Sequence, residues 1–360
     1  MRKFAAKEVD LGKGKSWEYW SSWSFYLPLV PFFLIQALRA RNSCFFTATN
    51  PGIYTGGVGI ESKYETLMKV PRQYLPKMIL FKHGQAFSDL NGRIEAAGLT
   101  FPLIAKPDIG FRGLLVKKIH SLEELKTYLQ TYPLDFMIQE FIDLPEEVGV
   151  MHYRFPDTAQ GEINSITLKS FLSVEGDGQS TLLQLIHAKD RAFRQLGRLK
   201  LSHGHLFDTI PAKGEKIPLG EIGNHCKGTI FLDGRYLIND EVVAVFDKIN
   251  EEIEGVSYGR YDLRCESLED LKTGQNIKIL ELNGVGAEPT HVYDPRNSSY
   301  FTIVHSIATQ WRIIRRIAIE NQKRGGYSLR PWPMIMALVD LYQYIKKTKK
   351  MVAEQGVKAT

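Results

Sequence analysis

Apolar and polar positions alternate with a period of two through much of the middle of the chain, the signature of half-buried strands. The clearest stretches run from Val256 to Cys265 and from Ile277 to Val285. In the first, Arg260 and Asp262 share one face; in the second, Glu281 and Asn283 do. Tyr261, Leu263, Leu280 and Leu282 supply apolar surface for the opposite face. Upstream, Phe101 to Lys106 and Phe136 to Ile142 read as strands, and Val148 to Phe155 with Ile163 to Val174 as an antiparallel pair. Thr229 to Ile238 reads as a hairpin turning at Asp233-Gly234. Helices are predicted from Ser121, with Glu124 three residues on, from Thr181 to Leu196, and after Asn239 or Asp240. In the last of these Val242, Val245, Phe246, Ile249 and Ile253 form one stripe. Nearer the N-terminus, Cys44 to Thr49 reads as a strand, Gly56-Gly57-Val58-Gly59 as a turn, and Glu61-Ser62-Lys63 as a helix opening. Strands with interposed helices predict α/β or α+β layers. After Phe301 the chain is helical and basic.

The N-terminal segment departs from this pattern. Ser16 to Trp23 is aromatic-rich, and Phe25 to Leu38 is apolar up to Arg39 and Arg41. The run is shorter than the ~20 residues of a membrane-spanning helix, and Pro28 and Pro31 interrupt it. It suits a buried helix, cover for a subunit interface in a homodimer, or an interfacial anchor making peripheral membrane contact. The run starts late and no small-residue cleavage site follows, so no signal peptide is expected. The terminal Lys346-Lys347-Thr348-Lys349-Lys350 suits a solvated helix end or contact with a membrane surface.

Composition narrows the class. Hydrophobic content of 44% and charged content of 24% over 360 residues are those of a folded protein with a sizeable core. A net charge of +6 admits anionic ligands. There is no zinc-ligand spacing or nucleic-acid motif, so no nucleic-acid partner is expected. The three cysteines are isolated, which points to a reducing compartment, the cytoplasm.

Two acidic groups, an amide and a guanidinium on paired strands suit a hard cation with oxygen ligands, beside a positive group that meets developing negative charge. Either string alone would equally suit the solvated face of a hairpin. Further charged positions join them. Lys106 stands at a strand end before Pro107-Asp108-Ile109-Gly110-Phe111-Arg112-Gly113, where an ammonium and backbone N–H groups can surround phosphates. Glu140 ends a strand, with Glu147 seven residues later, and Phe141 and Ile142 are suited to sandwiching a flat base. Lys169 shares a strand face with Thr167 and Ser165.

Taken in order, Lys106 with its glycine loop, Gln139-Glu140-Phe141-Ile142, Glu147, Lys169, Arg260-x-Asp262 and Glu281-x-Asn283 resemble the ATP-grasp superfamily. The likeness is closest to its D-alanine–D-alanine ligase-like branch. The stretches Val174 to Thr181 and Ile210 to Glu215, with Asn224, are similar to the ATP-grasp part of cyanophycin synthetases. The resemblance implies an ATP-grasp fold in which two α+β subdomains clasp ATP after a short N-terminal subdomain. It divides the chain into residues 1–60, 61–300 and 301–360. It implies that Lys106 and Lys169 hold ATP phosphates, with Lys63 as a looser match. Gly110 to Gly113 would form the phosphate lid, Glu140 and the backbone of Ile142 would read adenine, and Glu147 the ribose. Asp262, Glu281 and Asn283 would ligate Mg2+ (or Mn2+), and Arg260 would stabilise the acyl-phosphate and tetrahedral species.

The implied activity is an ADP-forming carboxylate–amine ligase acting on small-molecule carboxylate and amine substrates, such as an amino acid or peptide. The rivals are an ATP-binding protein without turnover, tethered through its N-terminus, and an enzyme that extends a peptide or poly-amino acid. The chain departs from the D-alanine branch in three places. The lid has Phe111-Arg112 in place of serines, the Gly56 to Glu61 string comes late and lacks its serine, and Gly284-Val285-Gly286-Ala287-Glu288-Pro289-Thr290 replaces Thr-Ser-Pro-Gly. ATP use is therefore expected, and D-alanine specificity is not.

Overall fold

Alternation along the strands gives each large sheet one apolar face, and helices cover those faces. The computed structural model describes residues 25–110, 113–220, 223, 227–296 and 299–358. The aromatic stretch before Phe25, Phe111, Arg112, Asn224 and Cys226 lie outside the described residues.

Along the chain, a 3₁₀ turn at Leu27–Leu29 leads into α1 (Val30–Ala40), followed by α2 (Lys63–Leu67), β1 (Met78–Phe81) and α3 (Leu90–Ala96). Next come β2 (Leu103–Pro107), β3 (Lys117–Ile119), α4 (Leu122–Thr131), β4 (Phe136–Glu140), β5 (Glu146–Tyr153) and β6 (Glu162–Ser170). A smaller unit holds β7 (Ser173–Glu175), α5 (Leu182–Ala188), α6 (Asp190–Phe193), α7 (Leu196–His203) and β8 (Lys216–Pro218). The chain continues through β9 (Ile230–Asp233), α8 (Asp240–Glu251), β10 (Tyr258–Cys265), α9 (Asp270–Thr273), β11 (Ile277–Asn283), α10 (Tyr300–Lys323) and α11 (Pro331–Lys358).

The strands form sheets in the orders β1-β4-β2-β3, β11-β10-β5-β6-β9 and β7-β8, and every pairing is antiparallel. This mixed architecture is α+β rather than a parallel α/β layer. In the β11-β10-β5-β6-β9 sheet, Val148, Val150, Ile166, Tyr261, Leu263 and Ile279 face Val242, Phe246 and Ile249 of α8. Each such side chain, once fully buried, contributes about 1.5–3 kcal/mol. Helix α8 starts where Asn239 accepts a hydrogen bond from the Val242 N–H (3.0 Å), with Asp240 and Glu241 in its first turn. The β1-β4-β2-β3 sheet packs Leu103, Ala105, Phe136 and Ile138 against Leu90 and Ile94 of α3 and Leu125 and Leu129 of α4.

Three local expectations are corrected. Cys44 to Thr49 is no strand; Phe45–Ala48 is a 3₁₀ helix in which the Thr47 hydroxyl donates to the Cys44 carbonyl (2.8 Å) and Phe45 and Phe46 pack edge-on against Trp311. The predicted hairpin at Asp233-Gly234 does not form. The Asp233 carboxylate accepts from the Arg235 N–H (3.0 Å) and pairs with its guanidinium, winding Arg235–Leu237 into a 3₁₀ turn, and β9 pairs with β6 instead. Pro28 and Pro31 do not interrupt the N-terminal run; each sits in the first turn of a helical segment, where its missing N–H costs nothing. No described helix is long and apolar enough to cross a membrane.

The Gly56–Gly59 turn docks beside the end of β11. Val285 and Gly286 donate to the carbonyls of Gly56 (3.0 Å) and Gly57 (2.9 Å). Gly57 has φ +92°, and a Cβ there would lie 2.6 Å from the Gly284 Cα. Gly57→Ala combines a left-handed backbone with a backbone clash, so it is expected to lower unfolding stability by roughly 2–4 kcal/mol. A urea midpoint unchanged from the parent would contradict this packing.

Candidate active site

The polar face of the β11-β10-β5-β6-β9 sheet gathers most of the predicted residues. Antiparallel register sets Arg260 opposite Asn283 and Asp262 opposite Glu281, with Gly149 and Glu147 of β5 beside Asp262 and Arg264. Lys169 enters the same face from β6, whose Leu168 pairs with Val148. Gly149 makes this convergence spatially feasible, since a Cβ there would sit 3.1 Å from the Asp262 carboxylate and 3.5 Å from Arg260 Cδ.

Asp262 is the hub. Its carboxylate accepts from Arg260 Nη2 (2.9 Å) and Asn283 Nδ2 (2.9 Å), and pairs with Lys169 Nζ at 3.2 Å. Burial acts to raise the Asp262 carboxyl, but the Arg260 guanidinium and Lys169 ammonium overcome it and hold the group well below the usual carboxylate range. Lys169 Nζ also pairs with Glu147 Oε1 at 3.0 Å, and Arg264 Nε donates to Glu147 Oε2 at 3.2 Å. Burial pulls the Lys169 ammonium down, yet Asp262 and Glu147 raise it above its ordinary value. A Cβ on Gly223 would collide with Glu147 Oε1 at 2.0 Å, so the chain there runs directly over this pair.

Lys63 begins α2, whose N-cap Ser62 accepts from the Glu65 N–H (3.0 Å). Its ammonium meets Glu281, and its Cε fills the space a side chain on Gly110 would need, 2.4 Å from that Cβ position. Burial lowers the Lys63 ammonium against the pull of Glu61 and Asp262. Lys106 Nζ donates to the Leu280 carbonyl at 2.9 Å. Burial and the positive charge of Lys63 push it down to about 7.

Of the remaining predicted residues, Ile142 touches this cluster through its backbone, while Glu140 and Gly113 stand apart from it. Glu140 accepts from the Lys77 N–H at 3.1 Å, and Gly113 takes φ +71° where the described chain resumes. Ile142 gives its carbonyl to Arg264 Nη1 at 2.8 Å, while Lys118 lies 3.9 Å from the centre of the Phe141 ring. Sequence reasoning passed over Arg264, though the same two-residue period that links Arg260 to Asp262 extends to it. It also passed over Asp108, whose carboxylate accepts from the Tyr64 N–H (2.8 Å) and whose carbonyl accepts from the Lys63 N–H (3.0 Å). That contact between distant segments leaves no periodic trace. Glu288, following β11, offers its carbonyl to Arg260 Nη1 (3.1 Å); burial raises its carboxyl, which accepts from the Tyr293 hydroxyl.

The donor set can be tested against a divalent cation. Among the described residues no group of three or more His, Cys, Asp or Glu side chains is placed to hold a metal. Asp262 and Glu281 nevertheless offer carboxylate oxygens on adjacent strands. Asn283, whose amide nitrogen is used on Asp262, brings an amide oxygen to the same pair of strands. Oxygen donors of this kind suit Mg2+, which takes few protein ligands and shares the rest with phosphates and water.

No known family profile and no curated protein matches the sequence. Among solved structures, the fold is similar to that of D-alanine–D-alanine ligase from Bacillus anthracis, at 14% identity, with 76% of this chain and 71% of that one covered and a TM-score of 0.43. It is also similar to a bifunctional glutathione synthetase from Pasteurella multocida (14% identity, 70% and 38% covered, TM-score 0.35). A third similar structure is the VanG D-Ala:D-Ser ligase from Enterococcus faecalis (14% identity, 68% and 57% covered, TM-score 0.36). The chain thus spans less than two thirds of the length of the second and third. All three are ATP-grasp ligases. At these scores the functional case rests on the side chains.

Proposed function

We propose that the chain is an ATP-dependent, ADP-forming carboxylate–amine ligase of the ATP-grasp type. The observation that carries this reading is Lys106: a buried ammonium whose bonded partner among the described residues is the Leu280 carbonyl, and which burial and Lys63 push down against the weaker pull of Asp262 and Glu147. A buried cation with so little compensation is costly, and an anionic ligand lowers that cost. Lys63, Lys106, Lys169, Arg260 and Arg264 converge here beside Glu147, Asp262 and Glu281, a set of cations that suits a triphosphate.

In this reading a carboxylate oxygen of the substrate attacks the γ-phosphorus of ATP, giving an acyl phosphate and releasing ADP. An amine then attacks the acyl carbon, loses a proton and expels phosphate. Lys63, Lys106 and Lys169 hold phosphate oxygens, and Arg260 faces the charge that develops on the acyl group. Mg2+ held by Asp262, Glu281 and Asn283 would supply neutralisation of phosphate charge. The isolated cysteines, with Cys44 and Cys265 buried as free thiols, support action in the cytoplasm.

An ADP-release screen over amino acids and dipeptides tests the reading. Stimulation by a carboxylate and amine pair is expected, and Glu281→Ala is expected to reduce it by at least about a hundredfold. Full turnover in that variant would remove Glu281 from the site, and nucleotide binding without stimulated release by any pair would favour a non-catalytic ATP-binding protein.

A further inference from the structure

The outer faces of α1 and α11 carry apolar side chains where a surface helix carries polar ones. From Leu27 to Leu38 every exposed residue is apolar or proline, with Leu34 60% and Leu38 77% exposed. This stripe is not the core face of α1. Phe33 and Ala37 point the other way, packing with Trp311 of α10. Helix α11 has the same double character. Met334 and Ala337 are buried, and Tyr344 and Met351 pack on the core of the β1-β4-β2-β3 sheet. Ile335, Met336 and Val339 face outward between Trp332 (70% exposed) and Tyr342 (67%).

Each stripe runs into cations. Arg39 and Arg41 are exposed at the end of α1, and Lys346, Lys347, Lys349 and Lys350 along the second half of α11. The start of α11 lies beside the turn that follows α1. The Leu329 N–H, just ahead of α11, donates to Thr47 Oγ1 (2.9 Å) in the turn after α1, and Leu341 lies 3.5 Å from where a Gly59 Cβ would be.

We propose that these stripes dock the protein peripherally on an anionic lipid bilayer. Apolar side chains that end in tryptophan, tyrosine, lysine and arginine match the acyl boundary and the headgroup phosphates in turn. A second copy fits less well, because it presents the same cations. The acids exposed on these two helices are Asp340 and Glu354, and Glu354 already lies 3.8 Å from Lys350.

Co-sedimentation of the full chain with phosphatidylserine–phosphatidylcholine vesicles, and with phosphatidylcholine alone, tests this. Binding to the anionic vesicles is expected, weakening as salt rises. Leu34→Ser with Leu38→Ser, and Trp332→Ser with Tyr342→Ser, are expected to weaken it at least about tenfold each. Lys349→Gln and Lys350→Gln, which leave the apolar packing untouched, are expected to cost roughly fivefold per charge. No binding to anionic vesicles, or equal binding by all variants, would overturn the proposal. So would a dimer in light scattering that the same serine substitutions dissolve, since that assigns the stripes to a second copy.

Discussion

Asp262→Asn is expected to stop ATP-dependent ADP release, by at least about a hundredfold, in a protein that still folds. The same position changed to alanine is expected to lose activity and stability together. Asp262 is the counter-charge for both Arg260 and Lys169 in a buried cluster, with its side chain 8% exposed. Removing one partner of such a pair strands the others, at a typical cost of about 3–5 kcal/mol. Asparagine keeps an oxygen toward Arg260, and Lys169 keeps Glu147, so its stability loss is expected to stay near 1–3 kcal/mol. A coupled ADP assay and urea unfolding on both variants separate the two effects. Turnover in Asp262→Asn would take this carboxylate out of the reaction. Unchanged stability in Asp262→Ala would mean that the ion cluster does not hold the sheet face together.

The second large effect is expected at Lys106, and its sign depends on the partner. In the free protein its ammonium titrates at about 7, against 10.5 when exposed. The unfolded chain therefore binds the extra proton between these values, and stability rises as pH climbs from 7 toward 10.5. Lys106→Met removes that slope and is expected to be more stable than the parent at pH 7. Nucleotide binding runs the other way, because phosphate favours the charged lysine. Affinity for a non-hydrolysable ATP analogue is expected to fall above pH 7, by up to about tenfold per pH unit, with proton uptake on binding. In Lys106→Met that slope should vanish and affinity should drop by roughly 1.5–3 kcal/mol, the worth of a hydrogen bond to a charged group. Titration calorimetry from mildly acidic to mildly basic pH in two buffers of different ionisation enthalpy measures both. A Lys106→Met protein that keeps the parent's affinity and pH slope would place the phosphates elsewhere.

The opposed effects at Lys106 also explain the contrast with the ordinary helices of this chain. In α8 the cap, the charges of the first turn and the apolar stripe all favour the same structure. At Lys106 burial works against charge, a conflict expected of a ligand site rather than of a residue kept for stability.

Periodicity alone determined much of this protein. The two-residue alternation in Val256 to Cys265 placed Arg260 and Asp262 on one face and Tyr261 and Leu263 in the core, because a pleated strand can point its side chains in only two directions. Capping chemistry located the starts of α4 and α8 for an equally local reason. Other features depended on segments far apart in sequence. Cys44 to Thr49 coils where its phenylalanines pack on Trp311, and β9 finds its strand partner in β6 while Asp233 captures the Arg235 that follows it. The same holds for the site. The sequence listed lysines and carboxylates in order, but the antiparallel register brought Glu281 opposite Asp262, seated Lys63 on Glu281 across 218 residues, and left Lys106 with a carbonyl as its bonded partner. Local sequence specifies direction and period; pairing between charges depends on distance and burial, which exist only once the chain has closed on itself.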